Sequence, residues 1–232
     1  MKPKVVVFDV IETLFALEPL EEKLKAVGLS DRSLQVWFPR LLRDAFALEV
    51  SGEYKTFRQV ASATLQVLMS EQNVDPARST IDEIINGFAN LPAHPDVKPA
   101  LEILRGAGVP IVALTNGSAE TTKKMFANAG LQTFIERCIS IDEVKHWKPA
   151  REVYLRAAKM LGFDPVDIAL VAAHDWDIHG ANKVGLITGF VTRKGQQFSA
   201  AMKKPDVIGA SLEEVAKKLL DLQQSCGSSA PG

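Results

Sequence analysis

Four short stretches of this chain carry side chains able to attack, hold or protonate a small molecule. The first is Val5-Val6-Val7-Phe8-Asp9, with Thr13 four residues past the aspartate. A carboxylate that ends an apolar run can serve as a nucleophile or a ligand. A loop carboxylate can equally cap a backbone turn. The second is Leu114-Thr115-Asn116-Gly117-Ser118. Its hydroxyl, amide and backbone N–H groups suit an anion, and Ser118 also suits a plain helix cap. The third is His146-Trp147-Lys148-Pro149, a cation fixed ahead of a proline that fits the first turn of a helix. Lysine is ordinarily a solvated surface group. Beside a carboxylate nucleophile, however, its charge keeps the carboxylate ionised and offsets charge in a transition state. The fourth is Val171-Ala172-Ala173-His174-Asp175-Trp176-Asp177. One imidazole and two carboxylates within four residues concentrate proton-transfer groups. Asp175 is also a candidate N-cap there.

These groups need a scaffold that brings them together. The run 5–8 is apolar and rich in β-branched residues, as a buried parallel strand is. From residue 97 strands and helices alternate: helices at 97–107, 119–129, 150–161, 177–184 and 212–223, strands at 110–114, 138–141, 168–172 and 187–191. That alternation predicts an α/β fold, a doubly wound parallel sheet with right-handed crossovers. In such sheets ligands bind outside the carboxyl ends of the strands, so the four stretches are expected to converge. Between the first strand and residue 91 the pattern is helical only, with apolar positions at helical spacing in 17–28, 31–50, 55–72 and 76–90. Pro39 predicts a kink or a helix start inside the second of these. The expected organisation is a Rossmann-like core of residues 1–16 and 93–223, an inserted helical cap of residues 17–92, and a small, polar, disordered tail of residues 224–232.

Bulk properties narrow the partners. A formal net charge of -1 gives no electrostatic case for nucleic acid or an anionic membrane. No apolar run approaches the ~18 residues of a membrane span, and the N-terminal run is too short for a signal peptide. Two cysteines, Cys138 and Cys226, imply no disulfide framework, and a reducing cytoplasm is the expected location. The chain holds no P-loop, GxGxxG, HExxH or CxxC pattern. His94 and His179 share no metal spacing with an acid, so neither a metal nor a cofactor is expected.

Asp with Thr13, Thr115-Asn116, Lys148-Pro149 and the loop before Asp177, in this order, resemble the haloacid dehalogenase superfamily from about residue 4 to about residue 222. The helical insert after the first strand resembles that superfamily's cap. Most members are magnesium-dependent phosphatases, with a general acid two residues after the nucleophile and an acidic metal ligand four before the last aspartate. Here those positions hold Ile11 and Ala173, and neither can donate a proton or bind a hard cation. Phe-Asp-Val-x-x-Thr-Leu-Phe, Thr-Asn-Gly-Ser, Lys-Pro-x-x-x-Val-Tyr and Trp-Asp-x-x-Gly-Ala instead resemble the L-2-haloacid dehalogenase branch. The resemblance implies metal-independent hydrolysis of small 2-haloalkanoic acids to 2-hydroxy acids and halide, through an ester on Asp9, by a homodimer. It implies that Lys148 pairs with Asp9, and that Asp177 holds Lys148 and helps place the water. Thr13 and Thr115 would bond the nucleophile or the substrate carboxylate, Asn116 would donate to the halide, Tyr154 would support the charged cluster, and Trp176 would line the pocket.

The sequence departs from that branch at three places. Phe38 follows Trp37 where the family has a halide-binding arginine, and Arg40 and Arg43 fall on other faces of the helix. Ala172 and His174 stand where serine and asparagine are usual. Glu12 stands where glycine is usual, and so close to Asp9 it needs a partner, because neighbouring carboxylates repel. With an ordinary pKa of ~6.5, His174 is a candidate base for the water step. Two other readings remain open: a phosphatase with a magnesium site rebuilt around Asp175 and Asp177, and a non-catalytic binder of a small carboxylate.

Overall fold

The fold is described from a computed structural model of residues 2–75 and 77–222. In chain order its elements are β1 (Val5–Phe8), α1 (Pro19–Ala26), α2 (Ser33–Ser51), α3 (Phe57–Glu71), α4 (Arg78–Asn86), α5 (Val97–Gly106), β2 (Ile111–Thr115), α6 (Ala119–Asn128), β3 (Arg137–Ser140), α7 (Arg151–Leu161), β4 (Ile168–Ala172), α8 (Asp175–Lys183), β5 (Ile187–Val191), β6 (Val207–Gly209) and α9 (Leu212–Leu220). The six strands form one parallel sheet in the order β3-β2-β1-β4-β5-β6. β1, β2 and β4 are buried along their whole length because helices cover both faces. Each such valine contributes about 1.5–3 kcal/mol by leaving water.

Helix faces follow the same logic. In α5 the buried residues Val97, Ala100, Leu101 and Leu104, and in α9 Leu212, Val215, Ala216 and Leu219, recur at helical spacing, and the two helices pack together. Order reverses between β1 and β4, which pair directly, with Phe8 opposite Val171. A crevice opens at such a reversal, and Asp9 is the first residue beyond β1. Its N–H donates to Val171 O at 3.0 Å, which fixes the backbone of Asp9 to the end of β4.

The helical excursion leaves and rejoins the sheet domain through adjacent backbone. Ala16 N–H donates to Pro92 O at 2.9 Å, and His94 N–H to Leu14 O at 2.9 Å. Thr56 starts α3 with a capping box closed by Gln59. Trp37, fully buried, donates its indole N–H to Ala61 O and Thr64 Oγ1, each at 3.1 Å.

Several details depart from expectation. Pro39 does not start a helix: α2 runs through it as a single element. Pro39 is exposed, so the carbonyl that loses its partner can turn to water. β6 has only three residues, one of them Gly209, too short a run to show a period. α8 begins at Asp175, with His174 as N-cap, two residues earlier than the pattern suggests. Pro149 is not the first helical residue, because α7 opens at Arg151 behind Ala150. The expected tail at 224–232 lies outside the described residues. Among the described residues no helix is long and apolar enough to cross a membrane.

Candidate active site

The strand ends meet around Asp9. Its Oδ1 accepts from Lys148 Nζ at 2.7 Å, and its Oδ2 from Thr13 Oγ1 at 2.6 Å. Thr13 is itself fixed, accepting from Ala173 N–H at 2.9 Å. Lys148 is fully buried, and all three of its ammonium donors are used: on Asp9, on Leu114 O at 3.2 Å, and on Asp177 Oδ2 at 2.6 Å. The other oxygen of Asp177 accepts from Tyr154 OH at 2.7 Å. Burial alone would push Asp9 toward its neutral form, but Lys148 and His174 outweigh it and hold the carboxyl well below the usual carboxylate range. Burial likewise opposes the charge of Lys148, and Asp177 and Asp9 overcome it, raising its pKa.

Helix packing sets that geometry. Gly180 on α8 lies under the start of α7; a Cβ there would meet Tyr154 Oη and Pro149 Cβ at 2.7 Å and Pro149 O at 2.8 Å. The missing side chain lets the Lys148-Pro149 turn and Tyr154 close onto Asp177. On the other side, the turn is tied to the excursion. Glu49 at the end of α2 accepts from Trp147 N–H at 2.7 Å and bonds His146 Nδ1 at 2.8 Å. Trp147 Nε1 donates to Lys55 O at 3.0 Å, and Tyr54 OH to Asp142 Oδ1 at 2.5 Å.

His174 closes the opposite edge of Asp9. Its Nδ1 lies 3.1 Å from Asp9 Oδ2 and its Nε2 2.9 Å from Glu12 Oε2. Two carboxylates need two donors, and only the imidazolium has two. Burial disfavours that charge, yet Asp9 and Glu12 prevail and push the pKa up to about 10. The expectation of an ordinary imidazole is corrected by this geometry: in the resting protein His174 is a cation. Glu12, whose need for a partner was evident, finds it here. The ring of His174 stacks on Trp176 at 4.9 Å between centroids, and Trp176 meets Phe46 of α2 edge-on at 5.3 Å.

Asp9, Thr115, Asn116, His174, Trp176 and Phe38 all line one cavity of about 20 Å³, with Ile11, Leu42 and Phe57. That is room for about one water. It adjoins a groove of about 660 Å³ that shares Phe38, Leu42, His174 and Trp176 and is edged by Arg43 and Lys194. Thr115 Oγ1 accepts from Gly117 N–H at 2.9 Å, and Asn116 Oδ1 from Lys148 N–H at 3.1 Å, so the amide of Asn116 keeps its N–H donors for the cavity. Ser118 caps α6, accepting from Thr121 N–H at 3.1 Å. Four predicted site residues, Lys148, Thr13, Tyr154 and Asp177, stand back from the cavity wall. Thr13 and Tyr154 are fully buried and bond Asp9 and Asp177. Asp177, fully buried, accepts from Lys148 with one oxygen and from Tyr154 with the other.

Reading residues in isolation passed over Leu42 and Phe57. A signal for Leu42 existed: Phe38, Leu42 and Phe46 are spaced by four and so share one helix face. Arg40 pairs with Glu71 at 2.9 Å and Arg43 with its neighbour Asp44 at 2.7 Å, and neither enters the small cavity. A magnesium ion does not fit these residues. The oxygens of Asp9 already face two cations, Asp177 is turned away, and Asp175 Oδ1 accepts from Trp176 N–H at 2.8 Å. Among the described residues no group of three or more His, Cys, Asp or Glu is arranged to hold a metal.

Comparison with known proteins finds relatives along most of the chain. A family model described as haloacid dehalogenase-like hydrolase matches residues 3–185. (S)-2-haloacid dehalogenase 2 of Pseudomonas sp. (strain CBS-3) is 28% identical over 217 residues, 92% of this chain and 94% of that protein. (S)-2-haloacid dehalogenase 4A of Burkholderia cepacia is 27% identical over 191 residues, 82% and 83% of the two chains. The structure of L-2-haloacid dehalogenase from Xanthobacter autotrophicus with chloropropionic acid covalently bound superposes with a TM-score of 0.89, at 22% identity, over 95% of this chain and 100% of that one.

Proposed function

The chain belongs to the haloacid dehalogenase-like hydrolases, and on that premise we propose that it hydrolyses small 2-haloalkanoic acids to 2-hydroxy acids and halide through an ester on Asp9. The observation that carries this reading is the state of Asp9. It is kept ionised by Lys148 at 2.7 Å, and it borders a cavity with no acid at Ile11 to protonate a phosphate leaving group. Relatives named (S)-2-haloacid dehalogenase over most of their length support the choice of substrate.

In this reading an oxygen of Asp9 bonds to the carbon that carries the halogen, and the carbon–halogen bond breaks with its electron pair on the halide. The N–H donors of Asn116 receive that charge as it develops, beside the indole of Trp176. Lys148 keeps Asp9 anionic before the attack, and Asp177 and Tyr154 keep Lys148 in place. Thr13 fixes the orientation of the nucleophile. Water then attacks the ester carbonyl of Asp9, so the only bond change at the chiral carbon is the first, and the product is inverted. The helical excursion acts as a cap whose Phe38, Leu42 and Phe57 close the apolar side. With room for about one water, the cavity must widen for a haloacid, and movement of the cap side is the available route.

Chloride or bromide release from 2-chloro- and 2-bromopropionate, with a substrate-derived mass on Asp9 in single turnover, tests the proposal. Asp9→Asn is expected to lose both by on the order of 10⁴ or more, and a chelator to change neither. No halide from a panel of 2-halo acids, or magnesium-dependent hydrolysis of a phosphate ester, would overturn it.

A further inference from the structure

Lys148 lies in the turn that joins β3 to α7, outside any helix or strand. Lys145 in that turn, like Glu12 after β1, takes a left-handed φ (62° and 64°) that glycine would adopt at less cost. Trp147 is fully buried, so its N–H needs an acceptor inside the protein. Glu49 supplies it from α2, through Oε2 at 2.7 Å, while Oε1 lies 2.8 Å from His146 Nδ1. The place of Glu49 on its own helix is unfavourable. It lies in the last turn of α2, where the helix dipole repels a carboxylate and no basic residue of that turn offsets it. Its side chain is nevertheless drawn in to 19% exposure. A carboxylate at the wrong end of a helix and turned inward is held there by what it bonds, and a backbone N–H on an ionised acceptor is among the stronger bonds available.

We propose that Glu49 is a positioning residue for the reaction: from the helical excursion it fixes the peptide that carries Lys148 and, through Lys148, the amide of Asn116. This rests on the ester chemistry proposed above. The Trp147–Lys148 segment is held at three consecutive backbone groups. Trp147 N–H donates to Glu49, Trp147 O accepts from Ala150 N–H at 2.8 Å, and Lys148 N–H donates to Asn116 Oδ1 at 3.1 Å. A flexible four-carbon stem spreads the ammonium over many places unless its backbone is fixed, and Lys148 must meet Asp9, Leu114 O and Asp177 at once. The amide of Asn116 is planar, so seating Oδ1 on the Lys148 N–H leaves its two N–H donors for the cavity. One carboxylate of the excursion thereby sets both the cation that keeps Asp9 ionised and the donor that meets the departing halide. Glu49 itself does not line the cavity.

Other contacts keep the excursion docked when Glu49 is changed. Trp147 Nε1 donates to Lys55 O at 3.0 Å, the rings of Trp147 and Phe57 lie 6.2 Å apart, and Tyr54 OH donates to Asp142 Oδ1 at 2.5 Å. These contacts use side chains on the core side and leave the N–H groups of Trp147 and Lys148 untouched. Glu49→Ala therefore removes the backbone tie without removing the interface, and it leaves the Trp147 N–H buried without its acceptor. Glu49→Gln keeps an oxygen for that N–H and loses only the charge.

The test begins with backbone amide hydrogen exchange followed by NMR. In Glu49→Ala the amides of Trp147 and Lys148 are expected to exchange about 10–100-fold faster than in the intact protein, as for loss of a bond to a charged acceptor. The amides of Val6 and Val7 in β1 are expected to keep their protection, and Glu49→Gln to restore most of it in the turn. The second readout is single-turnover formation of the ester on Asp9. With saturating 2-chloropropionate, Glu49→Ala is expected to slow it about tenfold and to change the half-saturating concentration by less than about twofold. With 2-bromopropionate the loss is expected to be about threefold smaller, because bromide leaves with less help from Asn116. Glu49→Gln is expected to stay within about threefold of the intact protein with either substrate. Exchange that quickens in β1 as much as in the turn, or a loss equal for the two halides, would overturn the positioning role. An ester rate unmoved by Glu49→Ala overturns it too and leaves the dehalogenase reading standing. No ester from any halo acid in the intact protein removes that reading and this role together, whatever the exchange shows.

Discussion

The two edges of Asp9 are built differently. On the lysine side, Lys148, Asp177 and Tyr154 are all fully buried, and every polar atom at the ends of the Lys148 and Asp177 side chains has a partner. On the histidine side, His174 is 12% exposed and Glu12 40% exposed, and the ring borders an open groove. A fixed, water-free charge can stabilise but has no path for releasing a proton, whereas a charge near solvent can exchange one. The contrast is between a sealed edge that holds the charge of Asp9 and an edge that is open to the groove.

The comparison predicts unequal responses to mutation. Lys148→Met strands two carboxylates without their cation and should destabilise the fold by about 3–5 kcal/mol, seen in chemical denaturation, and cut halide release by about 10²–10³. A milder result would mean that the lysine edge is less dry than its geometry. Gly180→Ala should act on the same edge from behind, forcing α8 off Tyr154 and Pro149 at a cost of about 1–3 kcal/mol.

The histidine edge should show itself through pH. A histidine whose pKa rises on folding stabilises fully below its unfolded value of ~6.5. That contribution fades as pH climbs toward the folded value of about 10. The stability difference between the wild type and His174→Asn should therefore shrink steadily between those two pH values, and a constant difference would deny the cation. In the His174→Asn background Glu12 has no imidazolium to hold, so Glu12→Gly should raise stability by about 1 kcal/mol through its backbone alone. The smallest effect expected is that of Phe46→Ala, which removes the edge-on contact with Trp176, worth about 0.5–1.5 kcal/mol beyond lost burial.

The lysine edge could be read from the sequence because each of its residues borders a recognisable element: Asp9 after β1, Lys148 ahead of α7, Asp177 in the first turn of α8 behind β4. Strand ends in an alternating α/β chain converge by topology, so little more than order was needed. The histidine edge was less accessible. Glu12 and His174 lie 162 residues apart, and no local pattern says that one neutralises the other. The protonation of His174 depends on that contact, which is why an ordinary imidazole was the natural expectation and the wrong one. The full burial of Tyr154 and Thr13 was not legible, since spacing along a helix or loop does not show depth. β6 escaped notice because three residues cannot display a period.

The position of β1 also bears on how the protein is made. Its partners are β2 and β4, and Val5 sits beside Ile168, so the pairing that completes its burial closes a span of about 160 residues. At ~5–20 residues per second of synthesis, roughly 8–30 seconds pass before β4 has been translated. During that interval Val5–Phe8 lacks its β4 neighbour, while α1–α4 follow it as a mostly local helical unit able to form early. The nascent chain thus carries Asp9 at the end of an incompletely covered strand, and helper proteins that shield such strands should matter most in that window.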